Sequence, residues 1–329
     1  MKNPLKQRFE RYCQYLSDEN AEKTYRKLYE ILSSEQQIMR IELLAKNSTE
    51  KGITDVSYFP KQQVIVSLTT HSKRIYEVFL SIESIMQQTV KPNKIILWLD
   101  EKEQNESLPI TLQRQQERGL DIRYCKDIGP HTKLIPTLRV YPDDIIITVD
   151  DDVIYTYDML ENILRSYQKN PKYIHTNRAH LIKFKDNGSL ENYNHWTKNI
   201  SMVGTSPLLF PTGVGGILYP PHSLCEEVQN EEVFLRLCPK GDDIWFKAMS
   251  LLNNTQSYKV ATHAPYYYSI PNMQDIGLYQ DNVFKGNNNI QIANVFTEYN
   301  LYEKFKSVRS LGSVEVYSVT QKAQKISYS

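Results

Sequence analysis

The chain has 329 residues, 40% hydrophobic and 23% charged, with 39 Lys and Arg against 38 Asp and Glu and a formal net charge of +1. That length holds one large α/β domain with additions or two modest domains, and the even charge gives no global reason to expect a nucleic-acid partner. No apolar run approaches the ~20 residues that cross a bilayer; Cys13, Cys125, Cys225 and Cys238 form no CxxC pair and follow no export signal. The expectation is a cytoplasmic protein with reduced thiols, at most peripheral at the inner face of a membrane.

Residues 4 to about 47 contain no Gly and, after Pro4, no Pro. Tyr12, Leu16, Tyr25, Leu28, Ile31, Leu32, Ile38, Ile41 and Leu44 recur at helical spacing, predicting two helices broken near Ser17-Asp18-Glu19-Asn20. Both charge signs line the polar face, which favours a packing or homo-oligomer element over a membrane anchor. Residues 1–55 are read as an N-terminal helical extension, with Asn47 to Pro60 a linker.

From Val64 onward strands and helices alternate, the pattern of an α/β fold with a mostly parallel sheet covered on both faces. The expected order is strand Val64 to Leu68, helix Ile75 to Gln88, strand Lys94 to Leu99 ending at Asp100, helix Leu108 to Arg118, strand Asp121 to Tyr124, helix Lys133 to Val140 and strand Ile145 to Val149. Right-handed crossovers would gather Thr69, Thr70, Asp100, Lys126, Asp127 and the triplet Asp150-Asp151-Asp152 at one edge.

The triplet is the most informative feature. Alternation along a strand would send Asp150 and Asp152 one way and Asp151 the other. Three adjacent anions beside a low-dielectric core repel, and a divalent cation with oxygen ligands relieves them. The competing reading is an acidic turn capping a helix over residues 157–169. Neither GxGxxG nor a Walker A loop is present, so the candidates for handling an anion are a cation on the acids, Lys133 at a helix start, and Arg74 beside the first strand.

Strand LTT, helix, strand ending in Asp, strand, helix with Lys, then IIITVDDDV resembles the nucleotide-binding half of the GT-A glycosyltransferases, especially family 2-like bacterial enzymes of surface-polysaccharide synthesis. The resemblance covers roughly residues 62–270, with a nucleotide-binding half over 62–152 and an acceptor half over 153–270. It implies a Rossmann-like GT-A fold and a Mn²⁺ or Mg²⁺ ion gripping the diphosphate of a nucleotide-sugar donor. By position, Thr69, Thr70, Arg74, Asp100, Lys133, Asp150 and Asp151 would belong to the donor site, Asp152 would be the chief metal ligand with Asp150 beside it, and His263 would complete the metal set. PTGVGGILYPP, residues 211–221, resembles the acceptor-side loop, where Gly215 and Gly216 would let backbone approach a sugar. GDDIWFKAMSLL, residues 241–252, resembles the start of the helix that carries the catalytic base in inverting enzymes; Asp stands where Glu is usual, so Asp242 and Asp243 are both candidates and Asp243 is chosen by position.

Trp245, Phe246 and Met249 are read as core, His131, His175 and His180 as further ligand candidates, Asn177 and Arg178 as the edge of the donor pocket, and Tyr266 to Tyr268 as an acceptor wall or packing. Residues 271–329 are expected to form a helix over Asn289 to Lys306 and a polar tail with disorder near its end; the resemblance implies a tail that closes over the acceptor or supports membrane contact. The function implied is transfer of a sugar, with inversion, from a UDP-linked donor to a glycan or lipid-linked glycan. A retaining transferase, a sugar nucleotidyltransferase and a non-catalytic glycan-binding protein stay open.

Overall fold

The computed structural model of the protein describes residues 19–262, 267–270 and 286–310. Its centre is an eight-stranded sheet among the described residues, in the order β3-β2-β1-β4-β10-β6-β11-β8. These strands are β1 (Val64–Thr69), β2 (Lys94–Asp100), β3 (Leu120–Cys125), β4 (Ile145–Thr148), β6 (Ile174–Thr176), β8 (Gly204–Ser206), β10 (Ile217–Tyr219) and β11 (Ser257–Lys259). The first four run parallel, and β6 and β11 share their direction, whereas β10 and β8 are reversed. The architecture is therefore α/β with a mostly parallel sheet, and one sheet runs through both segments separated on sequence grounds. Two short pairs lie outside it: β5 (Val153–Tyr155) with β12 (Tyr267–Ser269), and β7 (Ala179–Leu181) with β9 (Leu209–Pro211).

Continuous β-branched runs make the central strands because both faces are covered. Val64, Val66 and Leu68 pack into one core with Ile145 and Ile147, whereas Ile65 faces the other side with Ile96 and Trp98. Helices α2 (Val78–Met86), α3 (Ile110–Glu117), α4 (Ile135–Val140) and α5 (Met159–Lys169) supply the cover in the first half. Two expected helices come out shorter. Residues 75–88 divide into a 3₁₀ turn, Ser72–Tyr76, and α2; residues 133–140 divide into a 3₁₀ turn, Gly129–Lys133, and α4.

The N-terminal helix α1 (Glu19–Asn47) begins at the expected break; the helix expected before it lies outside the described residues. Ile41 and Ala45 are buried, and the helix packs on α2, α3 and β12. The segment read as a linker is instead a packed strap. Gly52 N–H donates to Arg118 O at 2.9 Å, Thr54 N–H donates to Pro92 O at 3.0 Å, and the Asn93 amide donates to the carbonyls of Thr54 and Val56. A Cβ on Gly52 would lie 2.3 Å from Met86 Cγ, so the strap's closeness to α2 depends on glycine.

The second core surrounds α7 (Asp242–Leu252), with Trp245, Phe246 and Met249 buried as expected. Helices α6 (Glu231–Leu237), α8 (Asn287–Glu298) and α9 (Leu301–Ser310) pack around it. The single helix expected over 289–306 is broken at Asn300, whose φ of +50° is left-handed. Phe296, Leu301 and Phe305 are buried; this part of the expected tail is core.

Candidate functional site

The sheet brings the C-terminal ends of β1 and β4 side by side, with Ser67 in register with Thr148. Beyond β4 the chain bends at Asp151 and Asp152, so strand alternation does not carry through the Asp triplet. Asp150 turns toward α7. Its carboxylate meets Lys133 Nζ at 2.8 Å, and its N–H donates to the Tyr155 hydroxyl at 2.8 Å. Asp151 and Asp152 instead share Arg74: Asp151 Oδ1 lies 2.6 Å from one guanidinium nitrogen, and Asp152 Oδ2 lies 3.5 Å from the other. Thr70 completes the Asp151 site by donating its hydroxyl at 2.7 Å. The expected pairing of Asp150 with Asp152 against Asp151 is corrected, because the register ends at Thr148. The capping alternative is not met either, since β5 intervenes and Asp158 occupies the N-cap of α5.

Lys133 joins the two acidic clusters. Its ammonium lies 2.8 Å from Asp150 and 2.8 Å from Asp242. Burial opposes that charge, but Asp150, then Asp242 and Asp243, outweigh it and hold the pKa well above the ordinary lysine value. Ser67 on β1 fixes the turn beneath it, donating to Lys133 O at 2.7 Å and sharing a 2.7 Å hydrogen bond with Thr137. The sequence expectation placed Lys133 at a helix start facing an anion. It lies instead at the end of a 3₁₀ turn, paired with carboxylates. Arg74 likewise holds acids, so both cations sit in the site but not in the expected arrangement.

Asp243 receives the Gly213 N–H, with both carboxylate oxygens at 3.1 Å. Burial first, then Asp242, push its carboxyl up to about 7. Burial, then Asp150 and Asp151, push Asp152 up to about 7 as well. Gly213, absent from the sequence candidates, is where the geometry demands glycine: a Cβ there would stand 2.5 Å from Lys133 Nζ and 3.0 Å from Asp150 Oδ1.

The neighbouring glycines make other contacts. A Cβ on Gly215 would meet Arg178 Cβ at 2.7 Å, so its close approach is to the protein's own chain; Gly216 has a φ of +81°, which favours glycine. Arg178 is tied to this loop through Thr212 Oγ1 at 2.8 Å, and the Asn177 amide donates to Gly215 O at 3.0 Å. Among the described residues, Arg178 Nε and Asn177 Oδ1 are buried without a hydrogen-bond partner, a state that native interiors rarely leave unexplained.

Thr69 and Asp100 stand at the ends of β1 and β2 but are engaged locally: the Thr69 hydroxyl donates to Trp98 O at 2.9 Å, and Asp100 accepts Lys102 N–H at 3.2 Å. Farther along the edge, Lys126 pairs with Glu231 at 3.2 Å and Asp127 accepts Gly129 N–H at 2.8 Å.

Three histidines offered as ligands are structural. His131 donates Nε2–H to Cys238 O at 3.0 Å and stacks on Phe234. His175 uses both ring nitrogens, on Ser166 Oγ and Asn170 O, and His180 accepts Asn199 N–H at 3.1 Å. Burial lowers all three, to about 4, 4 and 3. His263 and Tyr266 lie outside the described residues; Tyr267 and Tyr268 form β12 against β5.

Among the described residues no group of three or more His, Cys, Asp or Glu side chains is arranged to hold a metal ion. The donor set still fits an ion that arrives with a phosphate ligand, because Mg²⁺-type sites commonly use one or two carboxylates and fill the remaining positions with phosphate and water. Asp152 has the longest of the carboxylate contacts to Arg74 and Lys133, and burial, then the neighbouring anions, disfavour its ionised form. Comparison with known protein families finds no match to this chain, and comparison with curated proteins finds no relative.

Proposed function

We propose that the chain is a GT-A-like glycosyltransferase that moves a sugar, with inversion, from a UDP-linked donor to a glycan or lipid-linked glycan acceptor in bacterial surface-polysaccharide synthesis. The observation that carries this reading is the Lys133 ammonium, 2.8 Å from both Asp150 and Asp242. It draws the acids after β4 and those opening α7 to one point at the sheet edge, where open α/β folds bind ligands. Two acidic groups a short way apart suit two jobs, holding the diphosphate end of a donor and accepting a proton from an acceptor.

Asp152, with Asp150 near it, would hold the Mn²⁺ or Mg²⁺ ion. Such an ion supplies positive charge against the departing diphosphate. Arg178 and Asn177, each with a buried polar atom lacking a partner among the described residues, suit polar groups of the donor. Asp243 is the better proton acceptor of the α7 pair: Asp242 is committed to Lys133, whereas Asp243 is raised to about 7, near the pH at which a general base is most effective. The Gly213 N–H orients that carboxylate.

The test is a panel of nucleotide sugars, assayed for binding and turnover with and without a chelator. Asp152→Asn should lose cation-dependent donor binding. Asp243→Asn should keep donor binding and lose transfer by about 10²-fold or more. Equal cation-dependent affinity in wild type and Asp152→Asn contradicts the assignment.

A further inference from the structure

Helix α1 carries a second apolar stripe, opposite the face that packs on the protein. Leu28, Leu32, Met39 and Leu43 are 39%, 56%, 67% and 64% exposed, and Ile31 beside them is 46% exposed. At 3.6 residues per turn these four leucine and methionine positions fall within about 60° of arc. Ile41 and Ala45, which are buried, lie on the opposite side. Together the stripe exposes on the order of 500 Å² of apolar surface, the upper range of what a monomer leaves uncovered.

The order of side chains along the stripe is nearly the same read in either direction. Leu28 matches Leu43, Leu32 matches Met39, and Glu35 matches Gln36 about a midpoint between residues 35 and 36. Such an order suits a two-fold symmetric contact, in which residue i meets j while j meets i. We propose that this face of α1 docks on the same face of a second copy of the chain, the two helices antiparallel, with Leu28 against Leu43 of the partner subunit and Leu32 against Met39 of the partner subunit.

Glu35 approaches its own counterpart near the axis, a repulsion that solvent and salt screen at this exposed site. A stable interface covers about 800 Å² per partner; the flanking Gln36 and Glu42 bring the stripe toward that size. The pairing does not depend on the proposed chemistry, since none of these residues belongs to the candidate site.

Sedimentation of the full chain tests the association, and engineered thiols test its direction. The wild type should sediment as a dimer in the micromolar range, and Leu32→Glu with Met39→Glu should sediment as a folded monomer. In a Cys13→Ser background, Leu28→Cys mixed with Leu43→Cys should form a disulfide-linked dimer on mild oxidation. Neither should link to itself, because each thiol then faces its own copy about 22 Å away at 1.5 Å of rise per residue. A monomeric wild type, a dimer that survives the double glutamate change, or self-linking of Leu28→Cys overturns the proposal.

Discussion

Lys133 shows how much of the site rests on one side chain. It is 7% exposed, yet it remains charged because it sits between acids contributed by two distant parts of the chain. Gly213 makes room for it. In Gly213→Ala the new Cβ would lie at less than contact distance from the ammonium and from Asp150, pushing both out of place. We expect a fall in transfer of about 10²-fold, as misplacement by 1 Å commonly costs, with little change in the unfolding midpoint; activity within twofold of wild type contradicts the geometry. The pH profile follows from Asp243. Its carboxyl is raised to about 7, and only the ionised form accepts a proton, so kcat/KM should fall as pH drops through about 7 and level off above it. A profile flat from pH 5 to 8 removes Asp243 from the role of base. The acids were legible in the sequence because three adjacent carboxylates after an apolar strand are conspicuous. Their partners were not: the Asp150–Lys133–Asp242 bridge spans segments far apart in sequence, and Gly213 gained meaning only once the ammonium beside it was located.

At the scale of elements, periodicity identified the parallel strands well, since buried Val and Ile runs allow little else. Helix lengths were less legible. Ser72–Tyr76 and Gly129–Lys133 tighten into 3₁₀ turns, and Asn300 adopts a left-handed conformation that separates α8 from α9; nothing in apolar spacing signals either. The strap after α1 also read as a linker because much of its anchoring is hydrogen bonding to its backbone, which leaves no apolar pattern. Its anchor is a buried ion pair between α2 and the end of α3. Arg118 meets Glu83 at 2.8 and 2.9 Å, and its Nε–H donates to Glu50 O in the strap at 2.7 Å. Gln87 and Gln115 donate to the same carboxylate. Removing the guanidinium in Arg118→Met leaves Glu83 buried without its countercharge, which costs about 3–5 kcal/mol. Urea unfolding should record that loss, and a change below about 1 kcal/mol would mean that the strap, not the ion pair, holds these helices together.

Across the whole molecule, one sheet carries the candidate site at the C-terminal edge of its parallel strands, while α8 and α9 brace the helix that supplies Asp242 and Asp243. Gln291 in α8 accepts Lys240 N–H at 3.0 Å just before that helix starts, so the C-terminal segment sets the position of the acids rather than trailing from the fold. No described helix is long and apolar enough to cross a membrane. The expected mostly parallel α/β sheet was legible from the alternation of elements, whereas the reversed strands β10 and β8, three residues each, are too short to announce their direction. The most direct measurement is anomalous diffraction from crystals grown with Mn²⁺ and UDP. The account predicts a manganese peak beside the Asp152 carboxylate, bridged to the diphosphate; UDP bound elsewhere, or bound with no manganese at Asp152, would contradict it.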